Sequence, residues 1–357
     1  MRRRAQGGMR AALVMTAAGA AANVGVLVFG VMAGRALGPV GLADVGRLLS
    51  IEFGLLSLAV AFQNAFAQAG AKGADDRHVA RRFSVIWALV ALPAVFLALG
   101  VWWALSGPSA ARLAIFSTLA VSVPFAGALV AARGVALGRM DVVRYSASAV
   151  VEAAARISLV AVMIRSMEGP LAFALAAALS VPVGWVVLWR RAAGGGGQVR
   201  LWPVLLAAAP WLGLQAGQMA ILEGDIFWAS LFMAEPDAGR VALVTTFQRF
   251  QFMTAIGIAS YVVPTLAGGG AGVSPSRLAG VVGLLLAVTS GPFLAAAQFA
   301  PAQIIALAGG ADFAGVADAL LPAAIGTTAF TTAYVALTAV CARRDTGCRC
   351  SMGRDRA

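Results

Sequence analysis

The sequence predicts an all-α polytopic membrane protein of about ten transmembrane helices in two bundles. Three observations predict it. Hydrophobic residues make up 61% of the 357 and charged residues only 12%, whereas soluble domains carry roughly a quarter charged residues. The apolar residues gather into ten runs, each near the ~20 residues that cross a bilayer as a helix. The basic residues alternate between rich and poor connections along those runs.

The runs cover 11–33, 49–70, 84–105, 113–132, 146–164, 170–189, 204–233, 241–266, 278–298 and 319–341. The first follows a basic start and contains AAGAAA, which resembles a signal peptide. It continues through VGVLVFGVMAG, longer than an ordinary signal core, so it reads as a retained first helix. Gly30-x-x-x-Gly34 at its end and Gly134-x-x-x-Gly138 after the fourth run let helices approach closely. Pro93, Pro182, Pro210 and Pro292 fall inside runs and predict kinks. Pro210, early in the seventh, is the hinge candidate.

Charge placement decides the topology. Of the 27 basic residues, 20 fall at the N-terminus, the even-numbered connections and the C-terminal tail, and 5 (Arg35, Arg47, Arg112, Arg165, Arg240) on the other side. This is the positive-inside asymmetry, with both termini cytoplasmic and the chain in the cytoplasmic (plasma) membrane. The net charge of +12 is then a topology signal, and a nucleic-acid partner is excluded.

A repeat is also legible. ALGPVGLADVGRLLSIEFGLL, between the first two runs, is similar to MAEPDAGRVALVTTFQRFQFM, between the seventh and eighth. Pro39/Gly41 and Pro236/Gly239 are offset by 197 and 198 residues, about six runs. An even number of helices per half makes such a repeat parallel, with a substrate path between the halves. The expected division is a six-helix bundle over 1–192, a cytoplasmic linker over 193–203 containing GGGG at 194–197, a four-helix bundle over 204–341 and a tail over 342–357.

Charges inside the runs carry the functional reading, because a charge at mid-membrane costs about 2.5–3.5 kcal/mol on insertion scales. Glu223 and Asp225 lie two apart, about 200° around a helix, so they cannot share one face. Gln218, seven before Asp225 and with Gln215 a turn earlier, makes a polar stripe of the kind a wet cavity wall shows. Arg249, flanked by Gln248 and Gln251, either pairs with Asp225 or meets an anionic substrate. Glu152 and Arg156, spaced i, i+4, form a structural pair, with Arg156 as a cavity cation the sharper alternative. Gln63, Asn64 and Gln68 form a patch explained equally by helix-to-helix hydrogen bonds and by substrate contact.

Catalysis has little support. The single histidine, His78, stands beside Asp75 and Asp76 as a solvated charge cluster. Cys348-x-Cys350 lacks further ligands at metal spacing, and no Walker loop is present. No cofactor or metal is expected. A membrane glycosyltransferase or polymerase would need a large outer loop, and the longest outer connection here is about 20 residues.

Five segments resemble polysaccharide flippases of O-antigen and teichoic-acid type, in the multidrug/oligosaccharidyl-lipid/polysaccharide exporter superfamily. They are ALGPVG, ARGVALGRMDVVRYSASAVVEAAARI, ILEGDIFWASLFMAEPDAGRVAL, TTFQRFQFM…SYVVPTLA and ALAGGADFAGVADALLPAA. The resemblance implies a secondary transporter that moves a lipid-linked sugar precursor by alternating access, working with membrane lipids and with glycosyltransferases or a polymerase. Arg249, with Arg156, would hold the anionic head group, and Asp225 or Glu223 would couple a proton or sodium ion. A multidrug exporter of the same superfamily and a non-transporting scaffold are the alternatives. The family usually has twelve or fourteen helices, so the C-terminal bundle reads as incomplete, and CARRDTGCRCSMGRDRA does not read as a membrane continuation.

Overall fold

The computed structural model describes residues 2–71, 77–106, 109–167, 169–189, 201–267 and 275–347. The glycine stretch 194–197, Asp75, Asp76, Cys348-x-Cys350 and the tail beyond 347 lie outside the described residues, as does the side chain of His78.

Helix α1 (Arg2–Ala71) contains the first two apolar runs. Where the sequence predicts a loop, a single residue turns the chain: Gly38, at φ 63° and ψ −174°. That positive φ suits a residue without a Cβ, and Pro39 follows, with its fixed φ, at the first position of a new helix. The arms before and after Gly38 are therefore two crossings. Its apolar part, Ala17–Gln68, is 52 residues long, about 78 Å if it were straight, far more than one bilayer.

The other crossings are α2 (Arg77–Ser106), α3 (Ala110–Ser117) with α4 (Leu119–Gly138), α5 (Val142–Met163) and α6 (Gly169–Trp189). The second half has α7 (Leu201–Leu222) with α8 (Gly224–Phe232), then α9 (Glu235–Ala267) and α10 (Pro275–Phe299). The short α11 (Pro301–Gly309) and a 3-10 segment (Ala311–Ala319) lead into α12 (Leu320–Gly347). Among the described residues, eight stretches are long and apolar enough to cross a membrane. With α1 counted as two and the 33-residue α9 added, the described residues hold the ten crossings expected. The chain is an all-α, multi-pass membrane protein.

The helix expected to hinge at Pro210 runs unbroken through it and is interrupted at Glu223. One missing N–H is tolerated where neighbouring helices pack around it, and Trp211, beside that proline, is 1% exposed.

The halves meet mainly through α1 and α9, which make the most extensive helix pair. Small residues bring them together. Gly30 faces Thr246, Gly34 faces Leu243, Gly46 faces Ala242 and Gly239 faces the backbone of Pro39. At Gly30, Gly46 and Gly239 the approach leaves no room for a larger side chain. The two loops with similar sequences thus touch each other. Around this seam a core forms from Phe29, Phe173, Leu243, Phe247, Ile305 and Phe313. Leu89, Val90, Leu97, Val162, Leu284 and Val288 on the outer helices are exposed, an apolar perimeter fit for lipid.

Candidate functional site

At the end remote from Gly38 the halves part. Between them lies a cavity of about 220 Å³, walled by both arms of α1 and by α4, α5, α7, α9 and α12. Its lining includes Gln63, Asn64, Arg133, Glu152, Arg156, Gln215 and Gln218.

The wall from the first half carries the charges. Helix α6 approaches α5 at Gly184, whose missing Cβ makes room for Glu152, 3.0 Å from the Glu152 Cβ if one were present. Ser148, one turn earlier on α5, donates to the Gly184 carbonyl at 2.9 Å. Arg133 is held by both: its Nη2 lies 2.7 Å from a Glu152 oxygen and its Nε donates to Ser148 at 3.2 Å. Arg156 is held loosely. Its Nε donates to Ser180 at 3.1 Å, while Nη2 is 3.6 Å from both Glu152 and Glu52, beyond the usual N–H···O range. The expected Glu152–Arg156 pair therefore exists as a weaker contact, because Arg133 takes the better position. The signal was present in the sequence: Arg133 ends an apolar run, a position that reads as a membrane-edge charge until α5 packs beside it.

The wall from the second half is neutral. Gln215 donates to the Tyr334 hydroxyl at 2.7 Å and Gln218 to Ser57 at 3.0 Å. The carbonyl oxygens of both glutamines are buried without a partner among the described residues, as are the hydroxyls of Ser146 and Thr338, which also line the cavity. Buried polar atoms are nearly always hydrogen-bonded, so these four mark places where water or a ligand belongs. Gln63 is buried and Asn64 half-buried on the same cavity.

Arg249 stands just beyond the cavity, where the sealed part of the seam begins. It does not pair with Asp225. Both its Nε and its Nη2 bond the carboxylate of Glu223, the former at 3.1 Å, and Nη2 also reaches the Ser50 hydroxyl at 2.7 Å. Asp225 is exposed and, among the described residues, accepts only a long 3.4 Å contact from Gln248. Both acids thus reach α9, but at different residues: Glu223, at the helix interruption, is buried against Arg249, while Asp225, two residues on, lies at the exposed edge beside Gln248. The predicted stripe from Gln218 to Asp225 is thus divided, with Gln218 on the cavity and Asp225 away from it.

Glu52, which the sequence reading missed, is buried beside Arg156. It sits three residues into an apolar run, where an acid reads as interfacial; with the chain turning at Gly38, Glu52 lies more than three helical turns along the second arm, buried between helices. One turn apart on the same arm, Ser50 and Phe53 face the second half. The Phe53 ring has the Arg249 guanidinium 4.9 Å from its centroid and the Arg156 guanidinium 5.7 Å away, both within cation–π range.

The Gly38 end is closed by further ion pairs. Arg112 joins Glu235 of the other half and Asp44, the latter at 3.1 Å. Arg47 bonds Asp44 and Ser230, each at 2.9 Å, and Arg35 donates to the Leu307 carbonyl at 2.8 Å. The arrangement is open to one side and sealed on the other.

No protein-family model matches this chain, and no curated protein does. Solved structures do. A eukaryotic MATE transporter is similar at a TM-score of 0.72 and 15% identity, over 95% of this chain and 84% of that one. This is the MATE transporter fold. An inward-facing multidrug resistance MATE family transporter of the MOP superfamily follows at 0.66 and 16%, over 93% and 85%. A MATE multidrug transporter solved in complex with a ligand is similar at 0.63 and 17%, over 84% and 72%. At such identities the likeness concerns the fold alone.

Proposed function

We propose that this chain is a secondary transporter that exposes the cavity alternately to the two sides of the membrane, and that its cargo is an amphiphile with an anionic head group, a lipid-linked oligosaccharide or polysaccharide precursor. The single observation that carries the reading is the cavity wall, where Arg133 and Arg156 stand beside Glu152, with Glu52 behind Arg156, and beside four neutral oxygen groups that have no partner among the described residues. A guanidinium matches phosphate oxygens, and amide and hydroxyl groups match sugar hydroxyls. At about 220 Å³ the space is below the ~300–1,000 Å³ of a drug-sized site, so it receives part of a head group while an apolar tail stays in the bilayer. The arginine asymmetry supports termini, and with them an open side, on the cytoplasmic face of the plasma membrane. Glycosyltransferases or a polymerase of the same pathway would supply or consume the cargo, and a proton or sodium ion would supply the driving force.

Export of multiple drugs is the second reading, favoured by the multidrug transporters among the structural neighbours. Reconstituted proteoliposomes separate the two. Translocation of a fluorescent lipid-diphosphate sugar, lost in Arg156→Gln, is the expected result. Export of a lipophilic cationic dye with no lipid-diphosphate movement would overturn the sugar reading, and movement of neither would favour a scaffold.

A further inference from the structure

Arg156 is an unusual cation. It is 4% exposed, yet only its Nε makes a hydrogen bond among the described residues, to Ser180. Its Nη2 rests 3.6 Å from two carboxylates, too far to bond either well. Its flat faces are covered by Phe29 and Phe53, each with its centroid 5.7 Å away. A buried charged donor left under-bonded is costly, unless the position is kept for a partner that comes and goes.

Glu152 governs that position. One of its oxygens bonds Arg133 at 2.7 Å and the other faces Arg156 at 3.6 Å. Its carboxylate thereby neutralises charge on both cavity arginines. Its own backbone is held tightly, since α6 packs against its Cβ at Gly184. Arg133 is doubly anchored, to Glu152 and to Ser148, and stays where it is. The mobile quantity is the charge that Arg156 presents to the cavity.

We propose that Glu152 is the specificity-determining residue of this cavity: a tethered counter-anion that competes with an incoming diphosphate or similar anion for Arg156, and that admits cations when no such anion is present. The inference rests on the anionic-cargo reading above. With the carboxylate in place, Glu152 and Glu52 together compensate the two arginines, and only a strong, multivalent oxyanion displaces it. Without it, Glu52 alone remains, so the wall gains one net positive charge, weak anions bind and cations are repelled.

The test uses the full chain in nanodiscs with three probes: farnesyl diphosphate, inorganic pyrophosphate and tetraphenylphosphonium. Glu152→Gln is nearly isosteric and keeps an acceptor for Arg133, so the wall stays assembled. Binding of farnesyl diphosphate is expected to tighten about tenfold, which corresponds to about 1.4 kcal/mol, while tetraphenylphosphonium binding weakens. Glu152→Asp, which retains the charge, should restore wild-type selectivity, a rescue that a purely structural role would not produce. A gain shared by pyrophosphate assigns the site to soluble diphosphates as well; a gain confined to farnesyl diphosphate assigns it to a lipid carrier. Both support the proposal. If Glu152→Gln weakens or leaves unchanged the anion affinity while wild type binds it, Glu152 is no competitor and the proposal fails. If neither protein binds any diphosphate, the anionic-cargo reading is wrong and the competition proposed for Glu152 falls with it.

Discussion

The same two halves meet in opposite ways at the two ends of the molecule. At the Gly38 end α1 and α9 interlock through Gly30, Gly34, Gly46 and Gly239, and arginines stitch the rim. At the other end the facing residues include arginines, and glutamines and hydroxyls whose oxygens have no partner among the described residues. The lesson is that closure comes from shape, and opening from chemistry. Backbones that touch across glycines exclude water and cargo alike, whereas a wall with unused hydrogen-bonding capacity keeps them apart until something fills it. Arg249 and Phe53 sit at the boundary between the regimes, tying the seam to the cavity.

Breaking that boundary should have the largest effect. Arg249→Ala leaves Glu223 buried and unpaired, and removing one partner of a buried ion pair costs about 3–5 kcal/mol. A large fall in the thermal unfolding midpoint is expected, partly relieved when Glu223→Gln is added; equal midpoints for the single and double variants would show that the pair is not coupled. Next comes the seam. A Cβ on residue 46 would lie 2.7 Å from the Cβ of Ala242, so Gly46→Leu overpacks it, at about 1–3 kcal/mol. The halves should separate at the Gly38 end, raising the thiol labelling of a Ser230→Cys reporter in a background without native cysteines; unchanged labelling would deny the seam its gating role.

Arg112→Gln should do less. Partly exposed ion pairs contribute about 0–1 kcal/mol, so stability barely moves, while labelling at position 230 rises modestly and high salt reproduces the rise in the parent protein. The smallest effect belongs to Asp225→Asn. An exposed acid with one long contact should change stability by under about 0.5 kcal/mol and leave transport and its ion dependence intact. Loss of ion dependence in that variant alone would return the coupling role to Asp225.

These expectations also measure how far the linear chain could be read. Each apolar run is helical, although the fourth and seventh are each divided into two helices, because a backbone in hydrocarbon has to satisfy its own hydrogen bonds. The close approach predicted from Gly30 and Gly34 is present, as α1 meets α9 there. What failed were statements about partners. Arg249 was matched to the wrong one of two acids, since both reach α9 and nothing local announces which one is buried against Arg249. Glu52 reads as interfacial in the sequence because its place along the second arm depends on a turn one residue long, at Gly38. Arg133 was read as a topology charge, and only the packing of α5 and α6 beside it makes it part of the cavity.

By itself, then, the order of residues determined the solvent this protein inhabits, the number of its crossings and the asymmetry of its charges, all of which follow from the transfer of each segment between water and lipid. Tertiary structure alone decided which acid neutralises which arginine, where the halves seal and where they stand open. Those outcomes depend on the rotation and depth of each helix against its neighbours, and a helix has no rotation or depth until it is packed.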